Sequence, residues 1–174
     1  MRPPKSCPGN AGDLVAKGSV RDVDRGLNGL LRRAGFKVKV RVGVFGDLAA
    51  QAAVDGDGAT VGDIASAHEF GHGPPERSFV RAPIADNLAK IENATRKAAA
   101  AFLTGKMPET QAAALIGLGV EGMMKKAVTA GIAPALSSKY LPRKLAKYPG
   151  ANTPLIASGQ LLGSITHAVD KGGK

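Results

Sequence analysis

Phe36-Lys37-Val38-Lys39-Val40-Arg41-Val42-Gly43-Val44-Phe45 alternates along its whole length. Val38, Val40, Val42 and Val44 share one side while Lys37, Lys39 and Arg41 share the other, the period of a strand with one buried face. A lone strand cannot bury that face, so a partner strand and a covering helix are needed. Alternation returns at Ser164 to Val169, which is the expected partner. The pair predicts an α+β fold: a small, mainly antiparallel β-sheet packed against a long helix, with additional helices and extended arms.

Working outward, Ser19 can cap a helix carrying Val20, Val23, Leu27, Leu30 and Leu31, closed by Gly35. Before it, residues 1–18 hold three prolines and three glycines and read as a flexible N-terminal arm. Thr60 and Asp63 form a variant capping box that opens a short helix through His68, ending near Gly71 to Gly73 and the Pro74-Pro75 turn. Ser78 to Ala82 reads as extended. Pro83 reads as the first position of a long helix to Leu103, with Ile84, Leu88, Ile91, Thr95 and Ala98 inward, and this is the helix expected to carry the sheet. Another helix is expected from Pro108 to about Thr129, running through Ala112, Leu115, Ile116, Val120, Met123 and Met124. Its Gly117, Gly119 and Gly122 each weaken it by about 1 kcal/mol unless they serve close packing or bending. Residues 131–154 combine four prolines with Lys139, Arg143, Lys144 and Lys147 and read as an irregular basic loop. A turn of helix at Ser158 to Leu162, the closing strand and a polar tail from Asp170 complete a single domain over residues 19–174.

Composition narrows the function classes. The 174 residues carry a net charge of +10, which favours acidic partners, either nucleic acid or negative protein surfaces. Aromatic residues are only 4% with no tryptophan, which argues against stacking platforms for single-stranded nucleic acid. One cysteine, Cys7, excludes an internal disulfide framework and fits assembly in a reducing cytoplasm. The first residues show no secretory pattern, and no apolar run is long enough for a membrane span, so no membrane partner is expected.

His68-Glu69-Phe70-Gly71-His72 matches the zinc-protease pattern, in which two imidazoles one turn apart hold the metal and the glutamate activates water. That chemistry needs a continuous helix, and Gly71, Gly73, Pro74 and Pro75 are expected to end it before His72. A third ligand would have to be Glu92 or His167, neither in a recognisable context. Asp55-Gly56-Asp57-Gly58 begins like a calcium loop, but its twelfth position is Ser66 rather than glutamate. No Gly-x-Ser-x-Gly elbow, dinucleotide fingerprint or Walker lysine is present, so neither cofactor nor enzymatic activity is expected. Glu69, Arg77 and Phe79 are read as anchors of the turn between two helices, with Phe79 buried and Glu69 and Arg77 close enough for a charge-assisted hydrogen bond, intramolecular or to a neighbouring subunit.

Three segments in fixed order carry a resemblance: Val40 to Gly46; Ile64 to Gly71 running into Pro75-Glu76-Arg77-Ser78-Phe79-Val80-Arg81; and Thr153-Pro154-Leu155-Ile156-Ala157-Ser158-Gly159-Gln160-Leu161-Leu162-Gly163-Ser164-Ile165-Thr166. Over Val38 to Val169 the chain resembles the minor virion proteins of tailed bacteriophages that serve in the neck, in head-tail joining or in tail completion. The middle block is the most specific part. In that family the position of His72 is commonly a small polar residue, which makes the zinc pattern a coincidence over the Glu-Phe-Gly turn.

The resemblance implies a non-enzymatic virion protein, assembled in the host cytoplasm. It would form a homo-oligomeric ring between the DNA-filled head and the tail, contacting the connector and the tail terminator or tail tube. It implies structural or interaction roles for Glu69, Phe70, Gly71, Arg77, Phe79, Arg81, Gly159, Leu161, Ser164 and Ile165. Lys139, Arg143, Lys144 and Lys147 are then candidate contacts to an acidic partner or, without sequence reading, to DNA in the channel. Two alternatives of other classes remain: a zinc-dependent hydrolase using His68, Glu69 and His72, and a DNA-binding accessory protein that does not read sequence.

Overall fold

The computed structural model describes residues 38–54 and 57–171. The arm at residues 1–18, the helix expected from Ser19 to Gly35, the Asp55-Gly56 half of the acidic turn and the last three residues lie outside them.

The described residues form an α+β structure of two strands and seven helices. Strand β1 (Val38–Gly43) pairs antiparallel with β2 (Thr166–Lys171), placing Val40 opposite Val169 and Val42 opposite His167. Between them the chain forms α1 (Gly46–Ala50), α2 (Val61–Phe70), α3 (Arg81–Asp86), α4 (Leu88–Leu103), α5 (Glu109–Ala130), α6 (Leu141–Lys147) and α7 (Gln160–Ser164). Antiparallel pairing of the first and last described elements encloses all seven helices between the two strands in sequence. On the outer face, Arg41 donates through Nε and Nη2 to Asp170 at 2.6 and 3.0 Å, so Asp170 belongs to β2 and not to a polar tail.

The sheet packs on α5, not on the helix expected to begin near Pro83. Gly117 is the reason. It is buried in α5, and a Cβ added there would lie 2.7 Å from Cδ2 of His167 and 3.0 Å from Cγ1 of Val40. Only glycine lets the helix backbone approach both strands this closely. One turn on, Nδ1 of His167 donates to Glu121 at 2.6 Å, and Lys125 donates to the other carboxylate oxygen at 2.6 Å. The bond from His167, then that from Lys125, holds the Glu121 carboxyl below its ordinary pKa.

On its other sides α5 receives α3 and α4. The core joins Val120, Met124 and Val128 of α5 to Val61 and Ala65 of α2, Phe79, and Leu161 and Ile165 near the C-terminal end. Three expectations are corrected here. The long helix is two, because Asn87 turns its side chain onto the Pro83 carbonyl at 2.9 Å and departs from helical geometry between them. Leu88 and Thr95, expected inward, are exposed. The stretch at residues 131–154 contains α6, whose Pro142 sits in the first turn, where a missing N–H costs nothing.

Gly119 and Gly122 have open space where a Cβ would go. Urea unfolding should therefore separate the three glycines of α5. Gly119→Ala and Gly122→Ala are expected to stabilise by about 0.5 to 1 kcal/mol through helix propensity. Gly117→Ala is expected to destabilise by about 1 to 3 kcal/mol through overpacking. Stabilisation by all three would mean that α5 and the sheet are not in close contact at Gly117.

Candidate functional site

The block from Thr60 to Arg81 is built from its two helix ends. At the start of α2, Thr60 Oγ1 accepts from Asp63 N at 3.2 Å while Asp63 Oδ2 accepts from Thr60 N at 2.9 Å, a reciprocal capping box. At the other end Gly71 takes the left-handed conformation, φ 74°. A Cβ there would also meet Cβ of Glu76 at 3.2 Å, so the turn needs glycine twice over. His72 follows outside the helix, its N–H donating back to Ala67 O at 2.9 Å. His68 and His72 therefore do not share a helical face. Nδ1 of His68 is buried without a hydrogen-bond partner, and burial, followed by the charge of Arg77, lowers the pKa of that imidazole.

Glu69 faces inward from the last turn of α2, and its carboxylate accepts five hydrogen bonds. Ser78 Oγ donates at 2.8 Å, the backbone N–H groups of Phe79, Val80 and Arg81 donate at 2.8, 3.0 and 3.0 Å, and Arg81 Nε donates at 2.9 Å. The Ser78 hydroxyl in turn accepts from Ala82 N at 3.0 Å. Four consecutive backbone donors at the opening of α3, which the helix itself cannot satisfy, are thus held by two side chains. Arg81 completes the clasp, with Nη2 donating to Glu69 O at 2.6 Å and to Glu76 Oε1 at 2.8 Å. Its guanidinium also lies 4.7 Å from the ring centroid of Phe70, a cation–π contact on an otherwise exposed ring. Burial pushes the Glu69 carboxyl up, but the bonds from Arg81, Val80 and Ser78 together outweigh it and leave the group below its ordinary pKa.

Glu69 and Arg77 form no bond within the chain, because Arg77 turns to the opposite side. Its N–H donates to His68 O at 2.7 Å, and its buried guanidinium donates to Pro134 O at 2.8 Å and Ala135 O at 3.4 Å. Arg81, four residues on, is the partner of Glu69. Phe79 between them is 1% exposed and sits in the core.

The third block joins the same core. Gly159 takes φ 83° at the start of α7, Leu161 and Ile165 are buried, and Ser164 Oγ donates to Gln160 O at 2.8 Å. Gln160, not singled out from sequence although it stands inside the quoted block, ties α7 to the 52–54 loop. Its Nε2 donates to Ala52 O at 2.9 Å and its Oε1 accepts from Val54 N at 3.0 Å. Of the four basic candidates, Lys139, Arg143 and Lys147 are exposed. Lys144 is buried instead, and its ammonium donates to Thr153 O at 2.6 Å, which closes the loop on itself. Burial, then repulsion from Arg77, lowers its pKa.

A general base needs a lone pair free for the proton it takes. A carboxylate offers about four acceptor positions, and Glu69 already meets five donors. Its geometry suits holding a turn, not activating water. Among the described residues no cluster of three His, Cys, Asp or Glu could hold a metal ion, and no helix is long and apolar enough to cross a membrane. No family model matches the chain, and no curated protein or solved structure matches it.

The depressed pKa of Glu69 has a definite sign in stability. Its contribution is complete above the ordinary glutamate range and disappears as pH falls through the lower folded value. Glu69→Gln should therefore cost about 1.5 to 3 kcal/mol near pH 7, the worth of hydrogen bonds to a charged group. The gap between variant and wild type should narrow steadily below about pH 4.5 as the wild-type carboxyl gains its proton. Urea titrations at several pH values check this, and a gap independent of pH would show that the charge on Glu69 does not support the turn.

Proposed function

We propose that the chain is a structural subunit of a tailed-phage virion, placed in the neck or tail-completion ring that joins the DNA-filled head to the tail. The observation that carries the reading is that the block from Ile64 to Arg81, the most specific part of the resemblance, is built as a fixed turn and not as a reaction centre. Glu69, Phe70, Gly71, Glu76 and Arg81 spend their chemistry on one another. Two of the three catalytic elements of a zinc hydrolase are diverted, with His72 beyond the helix and Glu69 saturated.

In this reading the small body is rigid where the turn sets the direction of α3 and α4. Repeated around a ring, weak contacts from equal subunits add to a durable joint. The exposed Lys139 and Arg143 and the net charge of +10 suit acidic neighbours or DNA phosphates in the channel. That contact would be subsidiary to assembly.

Deleting the gene from the phage genome and imaging the resulting lysate tests the reading. Filled heads and finished tails should accumulate separately, and added wild-type protein should join them in vitro. Glu69→Ala protein should join them poorly. Joined, infectious particles without the gene product would refute the proposal, as would a peptidase activity that is lost in Glu69→Ala protein while joining is unaffected.

A further inference from the structure

A cavity of about 680 Å³ opens beside the turn, between α2, the Pro74-Pro75 corner, the 134–144 stretch and the segment leading into α7. That volume is in the range of ligand sites. Its walls are largely apolar, with Ile64, Leu136, Leu155 and Ile156 among them. Two cations, Arg77 and Lys144, also line it, at 5% and 6% exposure, together with His68 and its unpartnered Nδ1. Among the described residues no aspartate or glutamate lines the cavity, and neither Arg77 nor Lys144 forms an ion pair.

Carbonyl oxygens satisfy some of the donors. Arg77 gives Nε and Nη2 to Pro134 and Ala135, and Lys144 gives Nζ to Thr153. Carbonyl dipoles do not neutralise two buried positive charges, and such charges are costly without an anion. Burial, and after it the charge of Arg77, lowers the pKa of both Lys144 and His68. A carboxylate entering the cavity would offset all of this while apolar atoms beside it covered the walls.

Two large side chains at the mouth decide what carries that carboxylate. Val54 and Tyr140 line the cavity, yet they are 63% and 52% exposed. A small acid enclosed within would leave them in water. A chain continuing past the mouth would cover them.

We propose that this cavity binds an extended peptide segment of another protein in which an acidic residue is flanked by apolar ones. The acidic side chain enters toward Arg77 and Lys144, and its apolar neighbours lie on Ile156 and over Val54 and Tyr140. This goes beyond the neck assignment and does not depend on it, because any acidic partner with such a segment would fit. The chain's own net charge of +10 favours the encounter.

The test selects binders from a displayed random-peptide library on the full chain and then synthesises the strongest. Selected peptides should share an Asp or Glu beside aliphatic or aromatic residues. Changing that acid to its amide should weaken binding at least tenfold. Ala135→Trp, which blocks the cavity from an exposed position, should abolish binding without lowering the melting temperature, and Lys144→Met should weaken it. Because Lys144→Met also breaks the bond to Thr153, the Ala135→Trp variant keeps the test decisive should the former fail to fold. Amide shifts on binding should centre on Val54, Tyr140 and Ile156. Selection of no acidic consensus, or equal binding by Ala135→Trp, would overturn the proposal. So would nuclear Overhauser contacts from the chain's own residues 1–35 to Val54 or Ile156 in the free protein.

Discussion

One buried carboxylate organises the centre of this molecule. Glu69 stands in the last turn of one helix and binds the first free N–H groups of another, across a turn made by Gly71, Pro74 and Pro75. It acts as a cap supplied from ten to twelve residues upstream, and it also fixes the angle between two elements. A local cap such as Thr60 can only start its own helix. Glu69 also holds Arg81, and Arg81 reaches Glu76 and Phe70, so the carboxylate and the guanidinium are committed to the turn. Phe79 can then enter the core with its own N–H satisfied by Glu69, which removes the usual penalty of burying backbone at a turn.

Around this turn, α5 does the packing. It meets the sheet at Gly117 and the rest of the core through Val120, Met124 and Val128, so one helix joins the strand pair to the Glu69 clasp. The Glu121–His167 pair, one turn from Gly117, secures the last strand to the same helix. On the far side of the turn Arg77 and Lys144 face a cavity that no aspartate or glutamate among the described residues lines, the opposite arrangement to Glu69. The same short segment therefore has a saturated side and a side with charge left to satisfy.

Features set by residues close in sequence are legible in the sequence itself. The valine alternation marked β1, the Thr60 and Asp63 spacing marked the capping box, and Gly71 marked the end of α2 ahead of His72. Features set by long-range choices are not. Arg77 and Arg81 both lie within reach of Glu69 past the Pro-Pro turn, and only the path of the chain decides which turns inward to it. Gly117 reads as a weak point in a helix until the sheet is seen against it. The break at Asn87 depends on a side chain folding back four residues, which leaves the apolar spacing undisturbed. Lys144 stands among several basic residues, and the bond to Thr153 that draws it inward spans nine positions.

Hydrogen exchange of single backbone amides in the full chain, followed by NMR, reaches the role of Glu69 most directly. If the carboxylate holds the turn, the amides of Phe79, Val80 and Arg81 exchange slowly, like those of Met124 and Val128 in α5. In Glu69→Ala protein the three should lose protection together while Met124 and Val128 keep theirs. Rapid exchange of Phe79, Val80 and Arg81 in the wild type, or protection unchanged by the substitution, would contradict the role assigned to Glu69.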